Sequence, residues 1–366
     1  MKITTRVAGG RKVWELDNDA LTLSIMQGGG HLAGLELHAG PKVNPFWRPL
    51  WRTIEPWAYR AADAPRYGNK LLACISGHNL CLHEFGDPSP EEQRAGLVCH
   101  GEAPVARWRV LARSRSRRGL RFMCGCDLPI AQMRLERTFV MPRGSNVIQV
   151  QERVTNLARR DVPFTMCEHV TFGPPFLEPG VTVFDAPATK GHTFPGAFSD
   201  RPRMKPDTAF TWPAGPGLKG TVDLRRYETQ FRSFSDFTTQ LMNPARAEAW
   251  FSAVNPRLGL LVAYVWRRED FPWLANWEEL RGRAAKPWGG RSLTRGMEFA
   301  NTPFPQGLRT AVDRGRFHGR PTFRWLPARG SWRTAYSILA ERVPAGCAGV
   351  ADIRTQGAGF SIDLML

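Results

Sequence analysis

"MRLERTFVMPRGSNVIQVQERVTN" (133–156) contains two stretches of strand-forming residues around the turn "PRGSN" (142–146). In the second stretch Ile148, Val150 and Val154 fall on one face, and Gln149, Gln151 and Arg153 on the other. That period of two is the signature of a half-buried strand, and the Pro-Gly turn closes a hairpin. The same pattern recurs outward in both directions. "ALTLSIM" (20–26) alternates and ends at Gly28-Gly29-Gly30, "LGLLVAYVW" (258–266) reads as a strand covered on both faces, and "SWRTAYSILAERV" (331–343) adds another near the C-terminus.

Helices are few and short in this reading: "PSPEEQRAG" (88–96) and "NWEELRGRAA" (276–285). The 35 glycines and 29 prolines are spread along the chain, as many turns require. Residues 186–220, rich in Pro and Gly, read as a long surface excursion, because strand patterns resume on both sides. Many strands with few helices predict an all-β fold, a large β-sandwich formed by residues 1–366 as a single domain.

Composition narrows the function classes. The chain has 42% hydrophobic and 11% aromatic residues, enough for a large core. The N-terminal MKITTRVAGG lacks an apolar signal segment, and no run of about eighteen apolar residues occurs, so a cytoplasmic protein without membrane association is expected. The seven cysteines include no CxxC pair and read as reduced thiols without a metal. The net charge of +17 rests mostly on arginine, scattered except for "RSRSRRGLR" (113–121). That run reads as a solvated hairpin turn, since a nucleic-acid groove needs basic residues interleaved with exposed aromatics. Neither a P-loop nor a GxGxxG follows a strand, and no cofactor is implied.

Groups capable of proton chemistry gather in "SGHNLCLHEFG" (76–86), "GLVCHGEAP" (96–104), "MCEHVTFG" (166–173) and "RGMEFANTPFP" (295–305). Each adjoins an apolar stretch and a Gly or Pro, which is the setting of a strand end on a binding face. Glu168 and His169 are neighbours, so on a strand they face opposite ways. Glu168 is expected to pair with one of the many arginines. For Glu298 the plain alternative is a buried ion pair with Arg295 or Arg291.

These segments resemble the aldose 1-epimerases, the galactose mutarotases. "RVTNLARRDVPFTMCEHVTFG" is similar to that family's Thr-Asn, short turn, apolar strand and Asn-His pattern, with Thr155, Asn156 and His169 matching and Glu168 in place of the asparagine. "VCHGEA" resembles its His-Gly segment at His100 and Gly101. "RGMEFANTPFP" resembles its Glu-Thr-Gln-x-Phe-Pro segment, with Glu298 at the glutamate and Phe304-Pro305 one residue late. The resemblance implies a β-supersandwich and an isomerase that opens a sugar ring at the anomeric carbon without a cofactor. It implies Glu298 as base, His169 as acid, and His100 as a partner to the sugar.

The family's substrate-holding arginine and aspartate have no clean match. Arg52, Trp57, His78 and Asp236 are the candidate substrate contacts. The Trp- and Arg-rich stretches "NPFWRPLWRTIEPWAYR" (44–60) and "FPWLANWEELRG" (271–282) suit a sugar with an anionic group, since aromatic faces stack on sugar C–H surfaces and arginine grips carboxylate or phosphate. Two other readings stand beside the epimerase. One is a sugar-binding module without catalysis; the other is a metal-dependent isomerase using His78, His83, His100, His169 and a glutamate. The epimerase reading requires His100, His169 and Glu298 to converge on one cleft.

Overall fold

The computed structural model describes residues 1–227 and 232–366. The opening hairpin forms as read: strands Met133–Pro142 and Val147–Asn156 pair antiparallel, from Met133 opposite Asn156 to Val140 opposite Gln149. They belong to an eight-stranded sheet whose centre is Leu260–Arg267 and Ser331–Arg342. Leu260–Arg267 is buried along its length except at Arg267, which accounts for its unbroken apolar run. The arginine-rich run lies in the edge hairpin of this sheet, Arg109–Ser116 with Gly119–Leu128, and the whole of Arg109–Ser116 is exposed.

A second, ten-stranded sheet carries the order Ala188–Thr193, Phe234–Met242, Trp273–Leu280, Leu293–Ala300, Val162–Phe172 through its middle. Asn79–His83 pairs with the outer side of Val162–Phe172. Two readings are corrected here. "NWEELRGRAA" is not a helix: residues 276–280 complete the strand Trp273–Leu280, which is buried throughout between two neighbours. Sheet pairing on both edges outweighs the helical preference of Glu-Glu-Leu. The 186–220 excursion is also partly sheet, since Ala188–Thr193 pairs with Phe234–Met242 and continues into short hairpins. The helix at Pro90–Arg94 does form, capped by Ser89, whose hydroxyl accepts from the Glu92 amide at 3.3 Å. Among the described residues no helix is long and apolar enough to cross a membrane.

The two sheets pack face to face, as apolar alternation on each dictates. Trp266 of one stacks on Phe299 of the other at 4.5 Å, and Phe251 meets Phe172 edge-on at 6.1 Å. A four-stranded N-terminal sheet adds Leu16, Leu23 and Ile25 to the same core. The opposite face of the ten-stranded sheet carries a separate cluster that includes Trp47, Phe85, Phe237, Trp277 and Trp288. The ten-stranded sheet therefore has one face in the sandwich and one beneath loops.

A charged network sits at the sandwich interface. Glu168 accepts from His78 Nε2 at 2.6 Å, from Arg137 Nη2 at 3.1 Å and from the Tyr336 hydroxyl at 3.2 Å. Arg137 also donates to Glu152 at 2.5 Å, and His78 Nδ1 lies 3.1 Å from the Tyr264 hydroxyl. All of these groups are buried. Since Glu168 occupies His78 Nε2 as an acceptor, the proton is on Nε2 and Tyr264 donates to Nδ1. One guanidinium faces two carboxylates, and burial pushes Glu152 up to about 8.

Removing Arg137 strands both acids. Arg137→Met should destabilise the fold by about 3–5 kcal/mol in urea titration. The raised Glu152 works in the other sense with pH. Between its ordinary 4.5 and about 8 the native carboxyl holds a proton that the unfolded chain has released. Stability is therefore expected to fall as pH rises through that window, and Glu152→Gln should flatten the slope.

Candidate active site

His169 and Glu298 are direct cross-strand partners, on Val162–Phe172 and Leu293–Ala300. Residues opposite one another on adjacent strands share a face, so the two side chains stand together. His169 Nε2 lies 3.2 Å from Glu298 Oε1. The adjoining position on the next strand is Ala275, a small residue beside the pair. Two residues before Glu298 is Gly296, where a Cβ would come within 2.3 Å of Oε1. Glycine at 296 leaves the room the carboxyl occupies.

Above this pair opens a pocket of about 250 Å³. Its walls are aromatic: Trp277 and Trp288 meet at 84° with centroids 5.8 Å apart, and Phe85, Phe198 and Phe237 complete them. Trp288 stacks in turn on Trp47 at 5.6 Å, so the wall is anchored in the cluster beneath. Arg283 lies over Trp277 and Trp288 at 5.2 and 5.1 Å, with Glu279 Oε2 3.5 Å from its Nε. His100 and Asp87 enter from the loops on the other side.

His100 adopts φ 66°, a left-handed conformation that few non-glycine residues take, and precedes Gly101 at φ 77°. The turn holds the ring on Phe85, with centroids 5.7 Å apart, and 5.4 Å from the His169 ring. The Gly86 amide donates to His100 Nδ1 at 3.1 Å. Burial pushes the His100 pKa down, and the Cys81 and Cys99 thiols push it up by more. An imidazolium, however, has no lone pair for the Gly86 amide, so that bond belongs to the neutral ring with its proton on Nε2.

Burial governs the pair itself. It pushes the Glu298 carboxyl well above the usual carboxylate range, against the opposing pull of Arg283. It pushes His169 well below the ordinary imidazole value. Both directions favour uncharged forms, so the pair holds one proton and keeps it on Glu298 when empty. His169 Nδ1 is 3.1 Å from the Thr171 hydroxyl, which fixes the ring plane. Neither oxygen of Glu298 has a well-aligned hydrogen-bond partner among the described residues. An acid and a base thus stand side by side, facing a sugar-sized space with aromatic walls.

His100, His169 and Glu298 share this pocket, whereas the four candidate substrate contacts do not line it. His78 points into the sandwich, where Glu168 and Tyr264 occupy both ring nitrogens. Asp236 is on the face opposite Phe237 and accepts from the Arg203 amide and Nε at 3.0 and 2.8 Å. Arg52 is exposed beside Gly10, and Trp57 is at the surface under Arg107, 4.9 Å from its ring. Arg295 pairs with Glu278 and not with Glu298. The pocket residues that sequence reading missed are Arg283, Trp277, Trp288 and Asp87. "FPWLANWEELRG" carried the signal for Trp277, and the strand Trp273–Leu280, not the helix read there, places it on the pocket wall. Among the described residues no three His, Cys, Asp or Glu side chains are grouped to hold a metal ion.

No protein-family model matches the chain, and no curated protein matches it. Solved structures do. A presumed aldose 1-epimerase from Klebsiella pneumoniae superposes with a TM-score of 0.68 at 15% identity, over 92% of this chain and 81% of that one. A galactose mutarotase-like protein from Clostridium acetobutylicum gives 0.62 at 11% identity, over 94% and 99%. A galactose mutarotase related enzyme from Lactobacillus acidophilus gives 0.56 at 11%, over 91% and 98%. The chain has the galactose mutarotase-like sandwich fold.

The shared proton is open to measurement. At neutral pH the infrared spectrum of the unliganded protein should contain a protonated-carboxyl band that Glu298→Gln removes. Gly296→Ala should displace the carboxyl and shift that band, because the new methyl occupies the position of Oε1.

Proposed function

We propose that the protein is an aldose 1-epimerase-like isomerase that interconverts the anomers of a sugar by acid–base ring opening. The cross-strand pair of His169 and Glu298 carries the reading. Ring opening needs one group to take the anomeric hydroxyl proton and another to protonate the ring oxygen, and both oxygens are bonded to the same carbon. Two proton-exchanging groups 3.2 Å apart suit that demand. Mere binding needs no such pair.

As the site fills, Arg283 and the sugar's own hydroxyls favour the carboxylate, and the proton moves to His169. Glu298 then removes the O1 proton. The C1–O1 double bond forms, the C1–O5 bond breaks, and His169 delivers its proton to O5. After rotation about C1–C2, O5–H returns its proton to His169 while attacking C1, and Glu298 returns the other to O1. Atoms and charge balance without an external reagent. His100 donates from Nε2 to a sugar hydroxyl, and Trp277 and Trp288 present faces to the sugar C–H surface.

The charge preference belongs to Arg283 in place of Arg52. Its guanidinium lies in the pocket lining, where a sugar carboxylate or phosphate could displace the long contact to Glu279. The unit that acts is all of residues 1–366. Support for this comes from the pairing of Arg324–Leu326 with Val162–Phe172 and of Ser331–Arg342 with Val147–Asn156, which draws late segments into both sheets.

Anomer exchange measured by NMR saturation transfer across aldoses, sugar acids and sugar phosphates tests the reading. Glu298→Gln and His169→Asn should each slow exchange by about 10²-fold or more, with a much smaller loss of affinity. The double variant should be less impaired than the product of the two defects, because the groups act in one step. Arg283→Ala should lower the preference for anionic over neutral sugars. Wild-type exchange equal to the uncatalysed rate for every sugar that binds would make the protein a binding module.

A further inference from the structure

A second groove of about 310 Å³ lies where the turn after Leu260–Arg267 meets Asn301 and residues 320–324. It shares no lining residue with the His169 pocket. Its unmet polar groups are donors. Arg268 is only 7% exposed; its Nε donates to the Arg246 carbonyl at 2.7 Å, while Nη1 is buried without an acceptor. Asn301 is 3% exposed, and its Oδ1 accepts from the Met166 amide at 2.8 Å. That bond fixes the amide orientation, so the unpartnered Nδ2 is a donor as well.

The acidic groups of the groove do not answer these donors. Asp270 accepts from Arg267 at 2.6 and 3.0 Å and from the Thr334 hydroxyl at 3.0 Å, which occupies both its oxygens. Glu269 is largely exposed and 3.8 Å from Arg268 Nη2. Arg324 contributes Nη2, held by the Glu269 and Asp270 carbonyls, and Arg320 adds a further guanidinium to the lining. Four arginines against two carboxylates leave the groove positive. A buried donor left unmet is costly, more so when it is charged, and an oxyanion offers the acceptors that the protein withholds.

We propose that this groove is an anion site, separate from the His169 pocket, for a small molecule bearing a phosphate or carboxylate group. The oxyanion bridges Arg268 Nη1 and Asn301 Nδ2 at the buried end, with Arg320 and Arg324 closing over it. The rest of the ligand lies on Phe323 and Pro321. The volume is at the lower end for a small-molecule site, which limits the ligand to about the size of a sugar phosphate or a short carboxylic acid.

Titration calorimetry with inorganic phosphate and, separately, citrate tests the site, with ionic strength held constant by chloride. Saturable one-site binding is expected. Arg320→Ala, a change on the accessible side, should weaken it about tenfold, and Arg268→Gln should weaken it further. Saturation by phosphate alone marks a phosphoryl ligand, by citrate alone a carboxylate one, and by both a site that takes either. Arg283→Ala should leave the affinity unchanged. No saturation by either ion would overturn the proposal, as would affinity unaltered in both groove variants. So would loss of binding in Arg283→Ala, which would place the anion in the other pocket.

Discussion

The register of Val162–Phe172 against Leu293–Ala300 decides what both faces of the ten-stranded sheet contain. With His169 opposite Glu298, Glu168 lies opposite Phe299 and points into the sandwich. A slip of one residue would exchange the faces, putting the ligand of Arg137 into the pocket and the pocket's imidazole into the core. Pins on both sides prevent it. Glu168 is tied to groups from the other sheet, the Thr165 hydroxyl donates to the His83 carbonyl at 3.0 Å, and Asn301 accepts the Met166 amide. Position 168 thus fixes the strand that presents position 169.

The two adjacent acidic positions meet burial in different ways. Glu168 is supplied with a guanidinium, an imidazole N–H and a phenol, which offset part of the upward push that burial gives its carboxyl. Glu298 has His169 at 3.2 Å and Arg283 at longer range, and burial pushes its carboxyl well up. An isolated carboxylate in low dielectric is costly, and neutralisation is the cheaper outcome. For the proposed ring opening that outcome is also the useful one. A carboxyl fully compensated by its partners would be too weak a base, while one exposed to water would keep no proton at neutral pH.

The strands were legible because their signals are local, and the trio because three short segments resemble aldose 1-epimerase motifs. Period-two alternation marked Val147–Asn156 to the residue, and opposite faces for Glu168 and His169 follow from the pleat. The rest of the pocket depends on pairings distant along the chain. Arg283 reaches it because Trp273–Leu280 is a strand, yet "NWEELRGRAA" has good helix formers and no alternation, since both faces of that strand are covered. His78 and Asp236 were misplaced for a related reason. A buried polar side chain looks the same in sequence whether it faces a cleft or a partner, and their partners, Glu168 and Arg203, are remote along the chain.

The positive charge divides by depth more than by surface patch. Arg137 and Arg295 are fully buried among carboxylates and aromatic rings, where a planar guanidinium can bond in its plane and stack across it. Lysine, a strongly hydrated point charge, would fit neither contact, which gives the arginine bias a structural cause. Arg283 and Arg268 are intermediate: each stands at a cavity with less than full compensation. The exposed strand Arg109–Ser116 is different, since it is a sheet edge whose charges oppose pairing with another chain. The net charge therefore sums arginines in three separate physical settings, and the two proposed anion contacts fall in one of them.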